Sequence, residues 1–159
     1  MNPLLQGSRG LGRLAWLSPI IVRLIVGMLM LAHGIDKLRG GTSGIEGFGD
    51  FLSSKGFPAG VAFAWLVTML ELVGGAMLIA GLLSRLVASL MTIELIVAIT
   101  IATGPNGLIS GDAGVGYERD LAYIMGFLAI VILGPGRRPS LDHLFGLEEA
   151  KPALIPTSR

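Results

Sequence analysis

Four long apolar runs, parted by glycine, proline or charged residues, constrain this chain more than any other feature it has. They cover residues 19–38, 61–83, 86–102 and 117–133. About 20 apolar residues in a helix cross a hydrocarbon core of roughly 30 Å. The second run, 23 residues long, makes about 35 Å of helix at about 1.5 Å per residue, enough to span with some tilt. Of the 159 residues, 52% are hydrophobic and 14% charged. Soluble domains carry roughly a quarter charged residues, so the composition points to lipid as the solvent. The fold class is therefore an all-α membrane protein, a single four-transmembrane-helix bundle.

The same numbers exclude several functions. A net charge of +1 argues against a nucleic-acid surface. With no cysteine there are no disulfides, thiolate metal sites or thiol relays. Two histidines leave few ligands for a haem or a multi-histidine centre, so no metal is expected.

Residues 1–18 read as a basic, amphipathic lead-in containing Arg9, Arg13 and Trp16. Ser18-Pro19 marks a helix start, because proline fits the first turn where its missing N–H costs nothing. A signal peptide is the competing reading of the first run, and it fails for want of a small-x-small cleavage site. Between the first two spans Ile45, Phe48, Phe51 and Leu52 recur at helical spacing. That piece is too short to span, and predicts an interfacial helix. The two-residue connection at Ser84-Arg85 makes the second and third spans antiparallel neighbours. The Gly111–Gly116 stretch lacks the lysine and preceding strand of a phosphate loop, and reads as a plain loop. Trp16, Trp65 and Tyr117 fall near span ends as interfacial anchors. The transmembrane domain is placed at 19–142, with a Ser140-capped turn near its end and a polar tail over 143–159.

Orientation follows the basic residues. With the N-terminus inside, Arg9, Arg13, Arg85, Arg137, Arg138, Lys151 and Arg159 lie on the cytoplasmic side, against Lys37, Arg39, Lys55 and Arg119 outside. Seven against four places both termini in the cytoplasm.

Arg23, His33, Glu71 and Glu94 interrupt the spans. An ionisable group at mid-membrane costs at least about 2.5 kcal/mol, so it should face the bundle with a partner. Arg23, Gly27, Met30, Gly34 and Lys37 form one stripe on the first helix; Val67, Glu71, Gly74, Leu78 and Gly81 form another on the second. Glycines on such stripes let backbones approach. One reading makes Arg23, Glu71 and Glu94 a structural ion pair with an acid to spare. The other makes the acids a proton path or a headgroup site, since a neutral carboxylic acid donates a hydrogen bond. His33, Lys37, Tyr117 and Glu118 share the outer end and could line a polar mouth above Glu71; the alternative for Glu118 is helix capping.

Several motifs in order carry a resemblance. They are R-L-x-x-G-x-x-x-x-x-H-G-x-x-K-L from Arg23 to Leu38, F-x-x-F-L-x-x-x-G-x-P from Phe48 to Pro58, and E-L-V-G-G-x-x-L-x-x-G-L from Glu71 to Leu82. G-Y-E precedes the fourth run, and G-P-G-x-x-P-S-L-D from Gly134 to Asp142 follows it. The chain resembles the DoxX family of four-helix bacterial membrane proteins over about residues 19–142. The resemblance implies a multi-pass protein of the bacterial cytoplasmic membrane. It also implies an association with redox complexes, since the family takes its name from a membrane component of thiosulfate:quinone oxidoreductase. Its recurrent polar positions fall here on Arg23, His33, Lys37, Glu71 and Glu118; Glu94 is outside the pattern.

The expectation is an integral membrane subunit of a redox-linked complex, with a quinone-accessible pocket formed by His33, Lys37, Glu71, Tyr117 and Glu118. No cofactor is intrinsic, and a quinone is the candidate ligand. Expected partners are membrane lipid and another subunit, a membrane or peripheral oxidoreductase; a homo-oligomer is compatible, nucleic acid is not. The alternative is a non-catalytic anchor or assembly subunit. A solute or proton conduit is disfavoured, because four short leucine-rich helices leave little lumen.

Overall fold

A computed structural model describes residues 15–112, 114–136 and 139–147. The lead-in to residue 14, the Arg137-Arg138 pair and the tail from residue 148 lie outside the described residues, as do the expectations placed on them. Among the described residues the chain is helical, with no strand. Its elements are α1 (Ser18–Arg39), α2 (Gly41–Ser54), α3 (Gly60–Ala80), α4 (Ser84–Asn106), α5 (Glu118–Leu133) and the short α6 (Leu141–Leu144). Pro19 occupies the first turn of α1 as its chemistry prefers.

Three helices, α1, α3 and α4, are long and apolar enough to cross a membrane. No more than 33% of the most apolar stretch of each is buried within the protein. Ile25, Leu66, Val73, Leu86, Ile93 and Ile132 point outward instead. In water that exposure would be costly; in lipid it is the expected exterior of helices that are apolar all round. Met30, Leu78, Met91, Phe127 and Ile130 fill the interior. The 16 residues of α5 make about 24 Å of helix, shorter than those three, and they pack against α1 and α4. The piece between α1 and α3 is a full 14-residue helix, laid against the first half of α3.

Small residues set the α1–α3 seam. A Cβ on Gly34 would stand 2.7 Å from the Leu72 nitrogen, and one on Gly75 2.6 Å from the Leu31 nitrogen. The expected stripe on α1 therefore holds, but on α3 the seam is made by Gly75 where the sequence pattern points to Gly74. Gly74 faces Met91 and Val87 of α4. The reason is a π-helical turn over Leu70–Gly74. Its wider winding inserts an extra residue and turns everything after it by about 100° relative to a regular helix.

The end of the bundle where α1 begins is tied by the segment after α5. Buried Arg23 donates from Nη1 to the Pro135 carbonyl at 3.0 Å and from Nη2 to the Pro139 carbonyl at 2.7 Å. The Asp142 carboxylate accepts from the Leu83 and Ser84 N–H groups at the start of α4. That cap holds Leu83 in a left-handed conformation, φ 49°, which a leucine rarely adopts. Contrary to the sequence reading, the Ser140 hydroxyl does not cap its own turn; it donates to the Gly81 carbonyl.

Candidate functional site

At the other end, α1, α2, α3, α4 and α5 surround a cavity of about 430 Å³. That volume suits a small-molecule site, for which roughly 300–1,000 Å³ is usual. Phe57, Phe63, Val67, Leu90 and Val97 supply apolar walls, and the polar groups gather at one side.

Three charged residues make the polar centre. Lys37, one turn from the end of α1, reaches across the glycine seam and contacts both oxygens of buried Glu71. Its side chain keeps 28% of its surface exposed and lies 5.4 Å above the Phe48 ring, within cation–π range. Glu94 of α4 lines the same cavity as Lys37 and Glu71. One of its carboxyl oxygens, Oε2, is buried and has no hydrogen-bond partner among the described residues. Buried polar atoms are nearly always satisfied, so an orphan on a cavity wall marks a place where a ligand or water belongs.

His33 lines the same cavity, its ring edge-on to Tyr123 at 6.0 Å between centroids. Asp120, buried in the first turn of α5, accepts from the Thr103 hydroxyl at 2.7 Å and lies 3.6 Å from the Arg119 Nε. Thr103 closes a second π-helical turn, Ile99–Thr103. Both π turns therefore border this cavity, one bringing Glu71 and the other Thr103. A π turn is rare, and appears mostly where function keeps it.

Placement corrects the sequence reading in four respects. Arg23 does not meet Glu71 or Glu94; it is spent on proline carbonyls at the opposite end, and Glu71 takes Lys37 instead. Glu94, read either as part of a structural pair with Arg23 or as an acid of a proton path or headgroup site, lines the cavity away from Arg23. Tyr117 and Glu118 do not line it: Glu118 accepts from the N–H and hydroxyl of Ser110 and so ties the preceding loop. Their places are taken by Arg119, Asp120 and Tyr123, one to five residues beyond Glu118 on α5. Asp120 is visible in the sequence as a first-turn acid, but nothing in its spacing separates it from Glu118. His33, Lys37 and Glu71 are brought together as expected.

A second hollow, about 660 Å³, lies beside Arg23, between α1, the end of α3 and α6. There both terminal guanidinium nitrogens already hold backbone carbonyls and Nε is buried without a partner among the described residues; the first cavity, which gathers Lys37, Glu71 and Glu94 on one lining, is the candidate site. Among the described residues no cluster of three or more histidines and acids could hold a metal ion.

The DoxX family model matches residues 18–104. An uncharacterized membrane protein of Mycobacterium tuberculosis, Rv3486, is 34% identical over 134 residues, 79% of this chain and 80% of that protein. A Bacillus subtilis protein named "putative oxidoreductase CatD" is 32% identical over 83 residues, 52% of this chain and 58% of that protein. No solved structure matches the chain significantly.

Proposed function

The chain belongs to the DoxX family of membrane proteins, and on that premise we propose that it is a membrane subunit of a redox-linked complex whose cavity receives a quinone headgroup. One observation carries this reading. The apolar-walled cavity ends on an ion pair, Lys37–Glu71, beside a second carboxyl, Glu94, one oxygen of which is unsatisfied. A flat dicarbonyl ring needs apolar walls and one or two donors at its oxygens, and Lys37, His33 and a protonated Glu94 are donors. A quinone, when bound, supplies two-electron chemistry coupled to proton uptake. This chain's part is to hold the headgroup, exclude water, and present the Glu71 and Glu94 carboxyl groups to the ligand oxygen. Lys37 fixes Glu71 in place, and His33 lines the cavity beside them. The name of the Bacillus subtilis relative agrees with a redox role. The electron-transferring partner is a further oxidoreductase subunit.

The test is native purification, followed by lipid extraction and mass spectrometry, with binding of a quinone analogue measured in parallel. Quinone in the extract, and analogue binding lost in Glu94→Leu at unchanged melting temperature, is the expected result. A partner protein that co-purifies without quinone, and with no analogue bound, would replace this reading with a membrane anchor.

The apolar character of α5 and its packing beside α1 and α4 support a fourth crossing, with both termini on the cytoplasmic face of a bacterial plasma membrane. Reporters placed after Arg159 and near Ser43 should then lie on opposite sides; the same side for both would remove the fourth crossing.

A further inference from the structure

The walls of the cavity are not equally covered. Among its lining residues Met30, Glu71 and Asp120 are buried, Lys37 and His33 are half-buried and Arg119 is exposed beside them, but the most exposed apolar ones are Leu66 of α3, at 61%, and Ile93 of α4, at 60%. Phe63 and Leu90 are exposed beside them. These four residues form an apolar rim between α3 and α4. The gap has a structural cause. The two helices pack together from their tight connection up to the π turn at Leu70–Gly74, but Gly60–Met69 leans away from α4 and onto α2. At the α2 end, Ile45, Leu52 and Ala64 form a small apolar core, with Phe57 and Ile101 packed against it, and so roof the cavity. Leu66 lies six residues from the start of α3 and Ile93 nine from the start of α4. At about 1.5 Å per residue Leu66 lies about 9 Å from the α2 end and Ile93, on the antiparallel helix, about 14 Å from the opposite end, both inside the hydrocarbon region of a spanning helix.

We propose that the cavity is reached sideways from the lipid, through the gap between α3 and α4. Its ligand is then a membrane-dissolved molecule whose polar head sits at Lys37, Glu71 and Glu94 and whose hydrocarbon tail leaves over Leu66 and Ile93. The proposal rests on the pocket reading above and sharpens it. A site that opens onto hydrocarbon at this depth selects for a tail as well as a head, because a water-soluble molecule would have to partition into lipid first. It also replaces the outer polar mouth expected from the sequence, since α2 lies across that end.

The test narrows the gap without touching the polar centre. Leu66→Trp and Ile93→Trp place bulk on exposed, lipid-facing positions, and an unchanged melting temperature shows that each variant is folded. Binding of a long-tailed quinone to the reconstituted protein should weaken at least about tenfold, while a tail-less headgroup analogue binds within about twofold of the parent. Equal binding of the tailed quinone by parent and variants would overturn the portal and leave the pocket standing. A second arm needs no quinone: phosphatidylcholine carrying a diazirine on its acyl chain is photolysed in the same vesicles, and the labelled positions are mapped. Labelling at the half-buried Val67 and Leu70, lost in Leu66→Trp, supports the portal even if the parent binds no quinone. Labels confined to the outward faces of all helices refute it.

Discussion

The two ends of this bundle both bury charge, and they use it differently. Where α1 begins, Arg23 and Asp142 serve backbone groups: the guanidinium holds two proline carbonyls, its Nε alone being left without a partner among the described residues, and the carboxylate caps α4. The bonds of Arg23 join segments more than a hundred residues apart, and together the two residues fasten the chain after α5 onto the start of α1 and α4. At the α2 end, Lys37 and Glu71 pair with each other, and an unpartnered oxygen of Glu94 is left beside an apolar cavity. In lipid there is little hydrophobic drive between helices, so buried polar contacts have to help specify packing. Charge whose bonds are used up in closing the fold is structural. Charge that is half satisfied next to open volume is available to a ligand.

The largest expected effect would come from Arg23→Leu. It strands the Pro135 and Pro139 carbonyls, each of which now holds a charge-assisted bond, at about 1.5–3 kcal/mol apiece. Unfolding in detergent should show a loss of about 3 kcal/mol or more. Adding Glu71→Leu should bring no recovery; rescue by the second change would put Arg23 at the wrong end and collapse the distinction. Asp142→Ala should cost about 1–2 kcal/mol by removing the cap of α4, with quinone affinity of the folded protein unaltered. Affinity falling in step with stability would mean that the two ends are coupled.

Glu71→Gln tests the other end. Lys37 is partly exposed and can turn to water, so stability should change by less than about 1 kcal/mol. Quinone affinity should nevertheless fall about tenfold, or about 1.4 kcal/mol. A melting loss as large as that of Arg23→Leu, with binding retained, would make this end structural as well. The smallest effect is expected from Glu118→Gln, whose carboxyl serves only the Ser110 loop: quinone binding should be indistinguishable from that of the parent. Loss of binding there would move the site towards the polar mouth that the sequence suggests.

Much of the fold is legible in the sequence. The apolar runs, Pro19 at the head of α1, the short connection before Arg85 and the spacing of Ile45 to Leu52 place the helices to within a few residues. The candidate site is legible in half. His33, Lys37 and Glu71 stand out because each breaks an apolar span or closes it. Glu94 stands out for the same reason, but its position along the chain points to the wrong partner. Asp120 is overshadowed by its neighbour Glu118, since both are first-turn acids of one helix. The motif from Gly134 to Asp142 carries no role in the sequence alone; in the structure it is the clasp on Arg23 and α4.

By itself the sequence determined the solvent, the helices and the small-residue face of α1, because hydropathy, helix starts and helical spacing are local properties that add along the chain. Only the tertiary structure decided which charge meets which. Two π turns shift the register of α3 and α4 in a way no regular 3.6-residue period anticipates, so that Gly75 rather than Gly74 takes the seam and Thr103 comes to Asp120. Arg23 finds its partners 112 and 116 residues away, and no spacing within a helix encodes such a contact. A buried charge goes to whichever groups the packed backbone places within reach, and that choice is made only when the helices assemble.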